Sequence, residues 1–314
     1  MNSPKNLPPD TSETESGTRI QRRGFYILID DDAILAPDAL IDNLLTTFRS
    51  PQYEPPSLPG TVTELLELSG QRDVEFARVV SLLERDSVVA SQVLRKAQAA
   101  FYAGRRPIKT LHEAIVRLGL STLRDMFMVV VFKNNVFCAP GYDEPMQALQ
   151  QHSTAVAHIA RKVCERTGHA AEAQHAFLCG LLHDIGIAMS MIVLADPKRA
   201  AAAVGAAAPA APPAFEKILP AVLRVHESAG GILAHLWRLP PDVKVVISSH
   251  HTIPKDNVMA AAVCVANWIA SDLGFGVPGE TEGIPREAMR VLGLAETTLR
   301  DIKVQVRGIL ARLA

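Results

Sequence analysis

The chain has few aromatic residues, few cysteines, no excess of either charge and no long apolar run. Aromatics make up 5% of its 314 residues, against a hydrophobic share of 48%. Apolar content that is mostly Ala, Val and Leu suits packed helices better than a β-sandwich. Lys and Arg number 32 and Asp and Glu 33, a formal charge of −1. Proteins that work by neutralising phosphate backbones carry an evident basic surplus, so no nucleic-acid partner is expected. The four cysteines, Cys138, Cys164, Cys179 and Cys264, make no CxxC pair and no zinc-knuckle spacing, which reads as reduced thiols of a cytoplasmic protein. The strongest apolar run, Met126–Phe132, stops at Lys133, well short of the roughly 20 residues of a membrane helix. The polar start, MNSPKNLPPDTSETESG, lacks the apolar core of a signal peptide. A soluble cytoplasmic chain with no membrane partner is expected.

What is present is helical periodicity. Residues 1–18 read as a disordered tail, rich in Pro, Ser, Thr and Glu. Residues 19–57 read as an extension and a Pro-rich linker, holding the apolar stretch GFYILIDDDA and then an amphipathic helix to about Arg49. A strand ending in acidic residues can open a phospho-receiver domain. Only about two dozen residues separate Asp30 from the linker, however, where a doubly wound sheet needs about 100. From Leu58 to about Ser271 the pattern predicts short amphipathic helices over 61–68, 76–83, 88–99 and 111–118, then helices to about Phe137, over 144–167 and over 170–191. Residues 200–214 hold ten alanines and three prolines, predicting a surface linker or a helix fraying into one. Residues 272–314 read as two further helices packed on the body. In the second, Leu299, Ile302, Val306, Ile309 and Leu310 line up as a docking stripe.

Ten histidines are scattered along the chain, and some fall in telling places. Gly180-LLHDIG sets His183 beside Asp184 near the end of an apolar helix. Adjacent helical residues point about 100° apart, so both reach one ion only where the helix faces a cavity. A buried ionised Asp is costly without a metal or cationic partner. His152 lies upstream, and His226 and the pair His250-His251 lie downstream. Imidazole nitrogens with a carboxylate suit Fe, Mn, Ni or Zn. His112, His158, His169, His175 and His235 read as ordinary core or surface residues.

The order H…HD…H…HH resembles the HD superfamily of metal-dependent phosphohydrolases, which includes the HD-GYP cyclic-dinucleotide phosphodiesterases. Further stretches narrow the likeness to the HDOD family, the "HD-related output domain". They are Leu58-Pro59, residues 88–125 (VVASQVLRKAQAAFYAGRRPIKTLHEAIVRLGLSTLRD), GLLHDIG, His226-ESAGGILAHLWRLP and Ser248-SHH. The resemblance spans about Leu58 to Ser271. It implies an all-α fold, an N-terminal helical subdomain packed on an HD-like bundle. It also implies a ligand set of His152, His183, Asp184, His226, His250 and His251, with Asn267 where working phosphohydrolases place an Asp. Ile187 stands where HD-GYP enzymes have a lysine, and their Gly-Tyr-Pro segment is absent.

The expected function is therefore a bacterial signal-transduction output module, in company with cyclic-di-GMP enzymes or motility systems. It would act through protein–protein contacts without catalysis and hold metal partially or not at all. The alternative is a metal-dependent phosphohydrolase acting on a nucleotide or cyclic dinucleotide. Arg95, Lys96, Arg105, Arg106 and Lys109 gather within about fifteen residues. They offer a patch for an acidic protein partner or nucleotide second messenger, or a plain solvated face.

Overall fold

The repeating apolar spacing resolves into helices in the computed structural model, which describes residues 20–22, 25–27, 37–69, 76–85, 87–98, 108–204, 211–254, 256–279 and 283–310. The expected tail, residues 1–18, lies outside them. Two short strands, β1 (Ile20–Arg22) and β2 (Phe25–Ile27), pair antiparallel ahead of the helices. All other regular structure among the described residues is helical.

Helix α1 (Pro37–Arg49) buries Leu40, Leu44 and Phe48, one face of a 3.6-residue period. An N-terminal group follows: α2 (Gly60–Ser69), α3 (Phe76–Glu84), α4 (Ser87–Ala97), α5 (Leu111–Leu118) and α6 (Leu120–Asn135). Thr110 starts α5 through a capping box. Its hydroxyl accepts the Glu113 N–H at 3.1 Å, and the Glu113 carboxylate accepts the Thr110 N–H at 3.3 Å. Gly119, at φ 83°, ends α5 and begins α6, a turn that glycine makes without steric cost.

The second half is built from α7 (Asp143–Arg166), α8 (Ala173–Leu182), α9 (Ile185–Ala195), α10 (Pro197–Val204), α11 (Phe215–Leu236), α12 (Pro241–Ser249) and α13 (Val258–Ala270). A π-helical turn, Ser271–Phe275, then leads to α14 (Arg286–Val291) and α15 (Glu296–Leu310). Helix α7 packs on α8, α13 and α15, and α9 packs on α11. Small residues allow the close approach. A β-carbon on Gly180 of α8 would lie 2.8 Å from the Ala157 Cα of α7, and Ala260, Ala261, Ala262 and Ala266 of α13 are fully buried. On α15, Leu299, Ile302, Val306 and Leu310 are buried as the stripe predicted, with Ile309 only half-buried. The alanine tract begins as helix α10 and resumes as irregular chain at 211–214, where the Pro213 carbonyl accepts the Tyr142 hydroxyl at 2.8 Å.

Two expectations need correction. A single helix over 170–191 is instead two, α8 and α9, broken at His183-Asp184. Its apolar residues run round every side, so no period marks the break. The apolar runs are also longer than the sequence suggested. Ala173–Ala195 and Val258–Phe275 are long and apolar enough to cross a bilayer by length and composition. They lie 94% and 56% buried inside the protein, so the first packs against its own neighbours on nearly all sides. Of the thiols, Cys164 and Cys179 are buried, Cys264 is half-buried and Cys138 is exposed.

Candidate metal centre

The break between α8 and α9 answers the geometric difficulty of adjacent ligands. With Asp184 at φ −99° and ψ 18°, the chain leaves the helix between His183 and Ile185. Both side chains then face one buried point. Gly186, in the first turn of α9, lies flush against α11, and Gly230 N would lie only 2.9 Å from any β-carbon there. That close approach brings the His226 turn of α11 to Asp184.

Six of the seven expected residues converge. Asp184 Oδ2 lies 3.2 Å from both His152 Nε2 and His183 Nε2. Asp184 Oδ1 lies 3.3 Å from His250 Nε2 and 3.7 Å from His226 Nε2. His251 Nε2 stands 3.2 Å from His226 Nε2. Two lobes result, His152–His183–Asp184 and His226–His250–His251, each with its ligand atoms within 4.8 Å of one another. The Asp184 carboxylate stands between them. His152, His183, Asp184, His226 and His250 are buried, and His251 is exposed. Asn267 is buried on α13, which packs on the helices carrying His152 and the His183-Asp184 pair.

The protonation pattern follows from the outer partners. A carbonyl oxygen only accepts, so each ring nitrogen facing one carries the proton. His183 Nδ1 donates to the Gly180 carbonyl at 2.9 Å, His226 Nδ1 to Leu223 at 2.6 Å, and His152 Nδ1 to Phe275 at 2.6 Å. Their Nε2 atoms therefore present lone pairs inward, as in metal-ligating histidines whose other ring nitrogen is held by a backbone carbonyl. Burial pushes His183 down to about 4 and His226 to about 3, against the opposing pull of Asp184. Burial, with His250, lowers His251. Lone pairs face lone pairs 3.2 Å apart at His152–His183 and around a carboxylate whose oxygens accept no hydrogen bond. Such a convergence of acceptors is stable only with a cation among them. The residues present thus fit a divalent metal, with His152, His183 and Asp184 holding one lobe and His226, His250 and His251 the other.

The remaining predicted residues lie elsewhere. Arg95 and Lys96 are exposed at the end of α4, and Lys109 is exposed before α5. Arg105 and Arg106 fall outside the described residues. His158 stacks edge-on against Phe177, and His175 pairs with Asp242 at 2.9 Å, both away from the cluster. One residue escaped the sequence reading. Glu227 accepts the His251 N–H at 2.9 Å and comes within 3.7 Å of His250 Nδ1. Its adjacency to His226 was the only signal.

Comparison with known proteins bears on the fold and the family. An HDOD domain protein of unknown function from Geobacter sulfurreducens superposes with a TM-score of 0.60 at 21% identity, covering 86% of this chain and 97% of its own. A protein of Shewanella amazonensis SB2B, named as a candidate metal-dependent phosphohydrolase, gives 0.61 at 17% identity over 87% of this chain and 99% of its own. A candidate signal transduction protein of Marinobacter aquaeolei VT8 gives 0.64 at 18% identity, over 88% of this chain and 65% of its own. These likenesses establish the all-α fold. An uncharacterized protein of Treponema pallidum (strain Nichols) is 24% identical over 238 residues, 74% of this chain. The chain spans 45% of the length of that relative. The HDOD domain model matches residues 56–253, a stretch holding the whole histidine–aspartate cluster, and the chain belongs to the HDOD domain family.

Proposed function

We propose that this protein is a signal-transduction output module built round a divalent metal centre, acting through protein–protein contacts and not through catalysis. The observation that carries this reading is the enclosure of the cluster. Asp184 and four of its five imidazoles are buried, and His251 alone is exposed. A centre so enclosed is suited to holding helices α7, α8, α11 and α12 in register. A phosphodiester would have to reach Asp184 through that enclosure. Ile187, fully buried, stands where a substrate-binding cation would be wanted. The metal would be Fe, Mn, Ni or Zn, the ions that imidazole and carboxylate favour together. Protein partners in the cytoplasm would meet the outer surface, where Arg95, Lys96 and Lys109 offer positive charge to an acidic partner or a nucleotide second messenger.

One observation favours the phosphohydrolase reading. The two lobes share Asp184 between them, an arrangement suited to a pair of ions. A divalent ion there would supply Lewis acidity to a phosphoryl oxygen. In that reading, Asp184 and the five histidines hold the centre, and the exposed side at His251 admits substrate.

Elemental analysis of protein never exposed to a nickel column tests the metal; a metal-free result overturns the centre. Assay of Mn²⁺- or Fe²⁺-supplied protein with cyclic-di-GMP and a model phosphodiester tests the output. No turnover is expected. Turnover abolished by His183→Ala would replace the output reading with the enzymatic one.

A further inference from the structure

Three of the clustered histidines have their Nδ1 fixed by a backbone carbonyl: His152 by Phe275, His183 by Gly180, His226 by Leu223. His250 differs. Its Nδ1 is buried and makes no hydrogen bond. The acceptor facing it is the Glu227 carboxylate, Oε1 at 3.7 Å. The same oxygen accepts the N–H of His251 at 2.9 Å, so it is anchored beside the ring by a bond of its own. Glu227 belongs to α11, while His250 and His251 end α12. The carboxylate therefore spans the two helices that supply the His226–His250–His251 lobe.

We propose that Glu227 is a positioning residue for the metal centre: its carboxylate, beside the His250 ring, keeps the ring proton on Nδ1 and so leaves the Nε2 lone pair facing the cavity between the ligands. The inference rests on the metal-binding reading above. Without Glu227, Asp184 Oδ1 at 3.3 Å and His226 Nε2 at 3.2 Å from His250 Nε2 would draw the ring proton to Nε2, into the ligand cavity. Outer-shell partners of ligating histidines act on affinity by about 10–100-fold. Glu227 gives the His226 lobe an anionic outer partner, where the Nδ1 atoms of His152 and His183 meet backbone carbonyls.

The test is chelator-competition titration of the full chain with Zn²⁺, comparing wild type, E227A, E227Q, H250A and the double variant E227A/H250A. E227A is expected to weaken Zn²⁺ uptake about 10–100-fold. E227Q, which keeps an oxygen for the His251 N–H, is expected to weaken it less, and it carries the test if E227A fails to fold. In the H250A background, E227A should add nothing, because its effect is exerted through that ring. Uptake by either Glu227 variant equal to wild type would overturn the proposal. So would a loss that persists in full without His250, which would reduce Glu227 to a clamp on the turn. A wild type that takes up no Zn²⁺ would instead overturn the metal-binding reading itself.

Discussion

Gly186 lies so close to His226 that a β-carbon on the glycine would overlap the histidine's carbonyl oxygen. The contact fixes where α9 crosses α11, two residues from Asp184, and it tolerates no side chain. Gly186→Ala is expected to cost about 1–3 kcal/mol or more in urea unfolding, because backbone meets backbone and neither can rotate away. Metal uptake should fall with it. Gly60→Ala, whose β-carbon would meet nothing within 4 Å, should shift stability by less than about 0.5 kcal/mol. Equal midpoints for the two variants would contradict the packing described.

Asp184→Asn keeps the shape of the side chain and removes its charge. Both lobes depend on that charge, so metal content by elemental analysis should drop about tenfold or more, at least the scale on which outer-shell partners act. Retention of full metal would mean that the histidines alone suffice.

The buried imidazoles make the metal-free protein sensitive to acid. His158 is pushed down to about 4, by burial first and then by Arg161 and Lys96. His183 is similarly low, and His226 lower still at about 3. In the unfolded chain these rings take up protons near 6.5. Their depressed values in the fold therefore contribute stability that is complete above about pH 6.5 and is lost as pH falls toward 4. Melting temperature in chelator should be level above neutrality and decline across that window. His158→Gln, away from the cluster, should make the decline shallower. A level profile down to about pH 4.5 would refute the assignment.

Asp125 of α6 is buried, and Arg161 of α7 pairs with it while lying over the Phe177 ring at 4.4 Å. Gln174 of α8 accepts from both Arg161 and Arg124 and donates to Ser121 at 2.5 Å. The network joins the N-terminal helices to the half that carries the histidine–aspartate cluster. Arg161→Ala leaves a carboxylate buried without its counter-charge and should cost about 3–5 kcal/mol. Asp125→Asn in the same chain should recover part of that loss in chemical denaturation. Additive losses would show the two residues to be uncoupled.

Much of this architecture was legible in the sequence where amphipathic period and punctuation coincide. Leu111–Leu118 has an apolar face and a terminal glycine, and its predicted bounds are those observed. The histidine order identified six residues that the fold brings together. Legibility failed where burial is complete. Between Ala173 and Ala195 the apolar residues run round the whole helix, so nothing in the pattern marked the break at His183-Asp184 on which the centre depends. Glu227 failed differently. A carboxylate one residue from a ligand points about 100° away on a helix, and only tertiary placement shows that it reaches the next helix.

The π-turn Ser271–Phe275 gives the centre a connection beyond the family's matched span. That span ends at residue 253, but the carbonyl that orients His152 belongs to Phe275. A backbone carbonyl moves only with its chain, and this chain is tethered further on. Lys303 of α15 pairs with Asp272 at 2.9 Å and sits 3.9 Å from the Trp268 ring centre. The His152 imidazole, the π-turn and the last helix are thus linked in series, like a crank and its rod. A change at Lys303 or Asp272 would therefore bear on how His152 is held, although both residues lie outside the matched span.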